Sequence, residues 1–277
     1  MPDANESSRV SVSSVVLFRD GAPSTGEARI AVEEPLEIRI AGETIAVTMR
    51  TPGHDGELVL GFLHAEGLIA KARDLGRVFH CGKPGEEGFG NVMDATAAPG
   101  TVLDVERLGA ARRGSLTTSA CGVCGRRSVD DLLETCVPLE TSIRFAGERV
   151  ARFTANLGAG QRVFEETGGT HAAALVTADG ETLVVREDVG RHNAVDKVVG
   201  RMLLDGIDAS STALVVSGRT SFELVQKAAR ASIPLVVGVS APTSLAVDAA
   251  RRTRVTLVGF ARGSAFNVYT LPERIAF

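Results

Sequence analysis

A chain of 277 residues with 44% apolar and 23% charged side chains is long enough for one or two domains with full cores. A net charge of -4, no Trp and a single Tyr argue against broad nucleic-acid binding and against an aromatic platform for single strands. No apolar run approaches the roughly 20 residues that span a bilayer. The start, MPDANESSRVSVSS, lacks an apolar signal core, so the expectation is a cytoplasmic protein with reduced cysteines at 81, 121, 124 and 136.

Residues 1–13 read as a disordered polar tail. After it, short runs such as EARIAV, PLEIRI and TIAVTM are broken by Gly, Pro and Glu and suggest an antiparallel meander. Over HDGELVLGFLHAEGLI the period changes: Leu58, Phe62, Leu63 and Ile69 fall near helical spacing, with Asp55 as a cap and Gly67 as a stop. Short strands follow in RVFHC, NVMDAT and VLDVER. Residues 108–127 are rich in Gly, Ser, Thr and Arg and predict a long loop. Loops beyond about 12–15 residues are uncommon unless functional or disordered. SVDDLLETC then resumes a helix, with Ser128 as its cap.

From about residue 145 the strands HAAALVT, TLVVRE, ALVVSG, PLVVGVS and VTLVGF alternate with helices near 191–204, 221–231 and 243–252. That rhythm predicts an α/β sandwich around a largely parallel sheet. The chain thus divides into a smaller β-rich N-terminal domain, 14–140, carrying the loop, and an α/β domain, 141–277.

The loop holds SACGVCG, with Cys121 and Cys124 two residues apart. A zinc reading pairs His64-Ala65-Glu66 with this CxxC in imitation of a deaminase signature. Ser119-Ala120 stands where Pro belongs, however, and no second ligand pair is visible for a structural site. A thioredoxin-like dithiol needs a strand-to-helix junction, and the pair lies inside a loop. A mobile nucleophilic thiolate fits the surroundings. Arg112, Arg113, Arg126 and Arg127 flank it, there is no acidic residue between 107 and 127, and Gly122 and Gly125 widen the reach of the tip. Cys81 and Cys136 read as small core residues.

Three strand–loop–helix or strand–turn stretches gather polar residues in the second domain. REDVGRHNAVDKVVG leaves Asp188, Gly190, Arg191, His192 and Asn193 at a helix start, and SGRTSFELVQKA does the same with Ser217, Gly218, Arg219, Thr220 and Ser221. VGFARGSAFNVYT runs a strand into Gly259–Ser264. Strand carboxyl ends of open α/β sheets bind ligands, and helix N-termini with nearby Arg favour phosphate. Phe260 is placed to stack on a purine and Arg262 to meet a phosphate. No dinucleotide fingerprint or P-loop accompanies them, so the spacing alone names no nucleotide. Turn-forming Gly and Ser with surface arginines would look the same.

Taken in series, RTPGHDGELVLGFLHAEGLI, SACGVCG, GGTHAAAL, REDVGRHNAVDKVVG, SGRTSFELVQKAA, GVSAPTSLAV and GFARGSAFNVY resemble the FdhD family of formate dehydrogenase accessory sulfurtransferases over essentially the whole chain beyond the tail. The resemblance implies an α/β (α+β overall) fold whose C-terminal domain is a cytidine-deaminase-like α/β/α sandwich. It implies a sulfur carrier that accepts persulfide sulfur from a cysteine desulfurase. The sulfur then passes to the molybdenum (or tungsten) bis(molybdopterin guanine dinucleotide) cofactor before that cofactor enters formate dehydrogenase. By position, Cys121 would bear the persulfide and Cys124 would be the second motif cysteine. Phe260, Ala261, Arg262, Gly263, Ser264 and Ala265 would contact the cofactor. A homodimer is implied, with no protein-ligated metal. Arg191-His192-Asn193-Ala194 and SGRTSFE would stand where deaminases keep their zinc ligands, and they lack the Glu and cysteines for it. The alternative is a non-enzymatic chaperone that binds and delivers the guanine-dinucleotide cofactor.

Overall fold

The computed structural model describes residues 9–83, 86, 89–105, 133, 136–158 and 160–277. The 108–127 loop with Cys121 and Cys124, and nearly all of the helix expected after Ser128, lie outside those residues. At the front, β1 (Val10–Arg19) and β2 (Ala22–Ala31) form a two-stranded antiparallel ribbon. Asp20 and Gly21 both have positive φ, as the central pair of a type I′ hairpin turn requires. The ladder runs back to Val10, which pairs with Ala31, so Val10–Ser13 are strand although their composition reads as tail.

A second hairpin, β3 (Glu34–Ile40) and β4 (Glu43–Arg50), turns at Ala41–Gly42. Then come α1 (Asp55–Ala65), β5 (Leu75–His80) and β6 (Val92–Ala97), giving a sheet of order β4-β3-β6-β5. The expected antiparallel meander over β1–β4 is present only as two separate hairpins, since β2 and β3 lie in different sheets, and β3 runs parallel to β6. Helix α1 carries the chain across the sheet before β5 and β6 pair, and a crossover of that kind permits a parallel neighbour. Leu36, Ile38 and Ile40 alternate inward on β3 and share a core with Leu58, Val59 and Leu63 of α1.

Asp55 does not cap α1. The N-cap is His54, which makes no side-chain cap bond, and the Asp55 carboxylate is held by the buried Arg50 through Nε and Nη2, both at 3.0 Å. At the other end Gly67, at φ 78, donates to His64 O, and Leu68 N reaches Leu63 O. That is a Schellman stop, for which a left-handed glycine is the best residue.

The second half begins with β7 (Phe145–Ala146) and the short helices α2 (Gly147–Val150), α3 (Ala155–Gly158) and α4 (Arg162–Thr167). Strands β8 (His171–Thr177) and β9 (Thr182–Asp188) follow, then α5 (Arg191–Asp205), β10 (Thr212–Val216) and α6 (Phe222–Arg230). The chain ends with β11 (Leu235–Gly238), α7 (Ser244–Thr253), β12 (Thr256–Arg262), β13 (Ala265–Val268) and β14 (Ile275–Ala276). Six of these strands form one sheet in the order β13-β12-β11-β10-β8-β9.

Only β10, β11 and β12, separated by α6 and α7, pair in parallel; the other three pairings are antiparallel. The expectation of a largely parallel sheet is therefore corrected to a mixed one. The β8–β9 and β12–β13 connections are too short for the crossover that a parallel pair needs. The sandwich itself is present. Leu175, Leu214, Val236 and Leu257 face a core with Val195, Val198, Leu224, Val225 and Ala250 of the long helices. On the opposite face Ala174, Val215 and Val237 meet Phe145, Val150, Phe153 and Leu157.

Helices α1 and α5 join the two halves at a crossing of small residues. A Cβ on Gly61 would overlap the carbonyl oxygen of Asp196, and one on Gly200 would overlap that of Glu57. Beside the crossing, Arg186 grips the Glu57 carboxylate through Nε at 2.6 Å and Nη2 at 2.7 Å.

Candidate functional site

Strands β9, β10 and β12 end at the same edge of the sheet, and the three polar stretches singled out from sequence follow them there. The first turns inward. Asp188 is fully buried, pairs with Lys197 Nζ at 2.7 Å, and accepts from Thr51 N, Gly190 N and Asn193 Nδ2. Lys197 also donates to Thr51 O at 2.8 Å. A buried ion pair with its remaining positions hydrogen-bonded is a structural device. Asp188 and Asn193 thus tie residues 49–51 to the start of α5 and do not face a ligand.

The second stretch meets the first. His192 Nε2 lies 3.1 Å from Ser221 Oγ and 3.6 Å from Glu223 Oε2, so the N-termini of α5 and α6 are joined side by side. Burial lowers the His192 pKa, against the raising effect of its bond to Glu223. Burial works to raise Glu223, but bonds from His192, Ser221 and its own amide outweigh it and bring that carboxyl to about 2. A neutral imidazole beside an ionised carboxylate fits both shifts. Ser221 Oγ, within hydrogen-bond reach of His192 Nε2, also bonds the Glu223 carboxylate. Ser221 is the N-cap of α6 by position but makes no side-chain cap bond. His171, at the start of β8, is lowered by burial and by the charge of Arg191. Arg219 is exposed. Among the described residues no three His, Cys, Asp or Glu side chains are grouped so as to hold a metal ion.

The third stretch builds a cleft. Phe260 sits at φ 54, an uncommon conformation for a bulky residue, where a bulge interrupts the β12–β13 ladder between Gly259 and Arg262. Its N–H donates to Ser240 O at 3.2 Å, and its side chain stays 47% exposed. No side chain fits at Gly259, whose Cβ would lie 2.9 Å from Pro242 Cδ. Ala261 is fully buried in the core, while Arg262, Gly263, Ser264 and Ala265 are exposed. Gly263, at φ 60, occupies the first central position of the two-residue turn, where glycine is preferred.

An open cleft of about 390 Å³ lies beside this hairpin. Ala261, Arg262 and Gly263 of the hairpin line it together with Arg152 and Thr154 from the turn after α2 and Val239 after β11. Arg152 and Thr154 carry no signal in the sequence, because the short turns around them have no apolar period.

The cysteines divide. Cys121 and Cys124, with the flanking arginines, lie outside the described residues. Cys136 is buried in the helix-side core, as expected. Cys81 is not a core residue: it is partly exposed at the end of β5, and burial together with Asp94 raises its thiol pKa. His64, the false zinc ligand, is buried on α1, and burial reinforced by Arg230 and Lys227 brings it to about 4.

Comparison with known proteins places this geometry among relatives. The model of the FdhD/NarQ family matches residues 31–276. The sulfur carrier protein FdhD of Anaeromyxobacter dehalogenans (strain 2CP-C) is 55% identical over 253 residues, covering 89% of this chain and 88% of that protein. The sulfur carrier protein FdhD of Streptomyces coelicolor is 49% identical over 268 residues, covering 95% and 94%. A crystal structure described as that of a formate dehydrogenase accessory protein from Desulfotalea psychrophila superposes with a TM-score of 0.76 at 26% identity, covering 96% of this chain and 99% of the other.

Proposed function

Because the chain belongs to the FdhD/NarQ family, we propose that it is a sulfur carrier serving the maturation of formate dehydrogenase, with Cys121 bearing the sulfur. The observation that carries this reading is the match, across nearly the whole chain, to relatives named sulfur carrier proteins. Loading is a thiol–persulfide exchange. The Cys121 thiolate attacks the outer sulfur of a cysteine desulfurase persulfide and a new S–S bond forms. The desulfurase cysteine leaves as thiolate with the electron pair of the broken bond. Arginines on both sides of the motif favour the thiolate needed for attack.

The substrate that receives the sulfur is the molybdenum bis(molybdopterin guanine dinucleotide) cofactor. Handing sulfur on as sulfide takes both electrons of the carrier's S–S bond. A second thiolate that attacks the Cys121 sulfur releases sulfide and leaves a disulfide, and Cys124 is the thiol closest in sequence. The cleft beside Phe260–Ala265 supports an acceptor of this kind. Arginines line it for phosphate, no carboxylate stands among its described lining residues, and the exposed Phe260 ring adjoins it in sequence through Ala261. The working protein is then a cytoplasmic homodimer whose partners are the desulfurase and formate dehydrogenase. A delivery chaperone with dispensable cysteines is the second reading, and it rests on the cleft alone.

Persulfide mapping decides between them. Incubated with a desulfurase and cysteine, the protein should carry added sulfur on the peptide containing Cys121, as read by mass spectrometry. If Cys121→Ala still accepts sulfur and still supports formate dehydrogenase, the carrier assignment is wrong. If the Cys121/Cys124 double variant supports formate dehydrogenase fully, the protein is a chaperone.

A further inference from the structure

We infer that Arg152 and Thr154 form the second half of a diphosphate clamp, facing Arg262 across the cleft, so that the cleft reads a nucleoside diphosphate from two walls. This rests on the reading of Phe260–Ala265 as the wall that meets the guanine nucleotide.

Arg152 is set on a firm base. Val150 and Phe153 on either side of it are buried in the core beneath the sheet. Tight backbone bonds hold the turn: Arg152 N to Arg149 O at 2.9 Å, Phe153 N to Val150 O at 3.2 Å, and Ala155 N to Arg152 O at 3.0 Å. Arg262 comes from a different element, the bulged end of β12. The neighbouring arginines are occupied: Arg149 pairs with Asp179, and Arg144 donates to Glu273 O. Among the described residues, the guanidinium groups of Arg152 and Arg262 have neither an ion-pair partner nor a hydrogen bond. Two positive groups therefore line one concave space beside Ala151, Val239 and Ala261, with no counter-ion among the described residues.

Like charges brought to one cleft are mutually unfavourable, and a bound polyanion reverses the sign. Guanidinium forks match the paired oxygens of phosphoryl groups. Thr154 adds a neutral donor on the wall of Arg152. A volume of about 390 Å³ is within the range of small-ligand sites. Phe260 does not itself line the cleft, but its exposed ring, one residue before Ala261, gives a base carried by the diphosphate a face to stack on.

Calorimetric titration of the full-length protein with GDP, guanosine and inorganic diphosphate tests this. GDP should bind the wild type, and Arg152→Gln should weaken it roughly ten- to hundredfold, the loss expected for charge-assisted hydrogen bonds. The thermal midpoint should not move, because the side chain is exposed. Guanosine, lacking phosphate, should bind wild type and Arg152→Gln alike. Thr154→Val should weaken GDP by less, and Arg152→Lys should recover part of the loss. Inorganic diphosphate binding as tightly as GDP would overturn the assignment of a nucleoside ligand. If GDP binds, Arg262→Gln weakens it and Arg152→Gln does not, the second wall is refuted while the first stands. If GDP does not bind the wild type, the reading of the Phe260–Ala265 wall itself fails.

Discussion

Replacing Gly200 by alanine tests the crossing that joins the two halves of the molecule. In a solvent-facing helix, Gly→Ala is stabilising by about 1 kcal/mol. Here the added Cβ would overlap the carbonyl oxygen of Glu57, a backbone atom of α1 that cannot rotate aside. The contact is reciprocal: Gly61 and Glu57 are four residues apart on α1, and Gly200 and Asp196 are four apart on α5. Each glycine receives the carbonyl that precedes the other by one turn. Relief requires the helices to separate, which strains the Arg186–Glu57 pair beside them. Overpacking of this kind costs roughly 1–3 kcal/mol and more when backbone must shift. With the helix gain subtracted, Gly200→Ala should lose about 2 kcal/mol and Gly61→Ala a similar amount. For a chain of this size that lowers the thermal midpoint by about 4–8 °C. Gly56, also in α1, has open space within 4 Å of the point where a Cβ would stand, so Gly56→Ala should be neutral or slightly stabilising. Thermal and urea unfolding of the three variants provide the measurement. A Gly200→Ala midpoint equal to or above that of the wild type would refute the close-approach argument.

Stability should depend on His64 in acid. Its folded pKa, about 4, lies below the ordinary 6.5, so the unfolded chain binds more protons between those values and stability falls as pH drops through that window. The contribution is roughly 3 kcal/mol at about 1.4 kcal/mol per unit. Asp196, raised to about 6 mainly by burial, works the other way: its contribution improves as pH falls from about 6 towards 4. The difference between the wild type and His64→Leu isolates the histidine, and an acid limb of the urea midpoint no flatter in the variant would contradict its role. Phe260→Gly should separate stability from binding. Removing a side chain from a left-handed position relieves roughly 1–2 kcal/mol of strain, so the midpoint should rise while GDP affinity falls; a lower midpoint would show that the ring supports the fold.

The strands of the second half were legible because they are continuous runs of small and β-branched residues, and HAAALVT coincides with β8 from His171 to Thr177. Helix ends came within a residue or two where Gly or Thr marks them, as at Gly206 and Thr243. Strand direction was not legible, because it depends on which strands become neighbours after non-local pairing. Asp188 shows the limit for sites. An acid at the edge of a helix looks the same in sequence whether it faces a ligand or a buried lysine, and only Lys197 and the distant Thr51 decide. Family resemblance singled out Phe260–Ala265, of which Ala261, Arg262 and Gly263 line the cleft, whereas Arg152 and Thr154 entered only with the cleft. The assignment of Cys121 and Cys124 stands on sequence and family alone.

The contacts that close α1 against α5 also set an order of events during synthesis. Glu57 and Gly61 leave the ribosome some 130 residues ahead of Arg186 and Asp196, their partners. At about 5–20 residues per second, the exposed face of α1 waits on the order of ten seconds for the surface that covers it. Its inward face is provided for at once, since β3 has already emerged. The nascent N-terminal half can therefore collapse early but stays incomplete on one side. Its vulnerable interval is set by translation rate and by the length of chain between the two glycines.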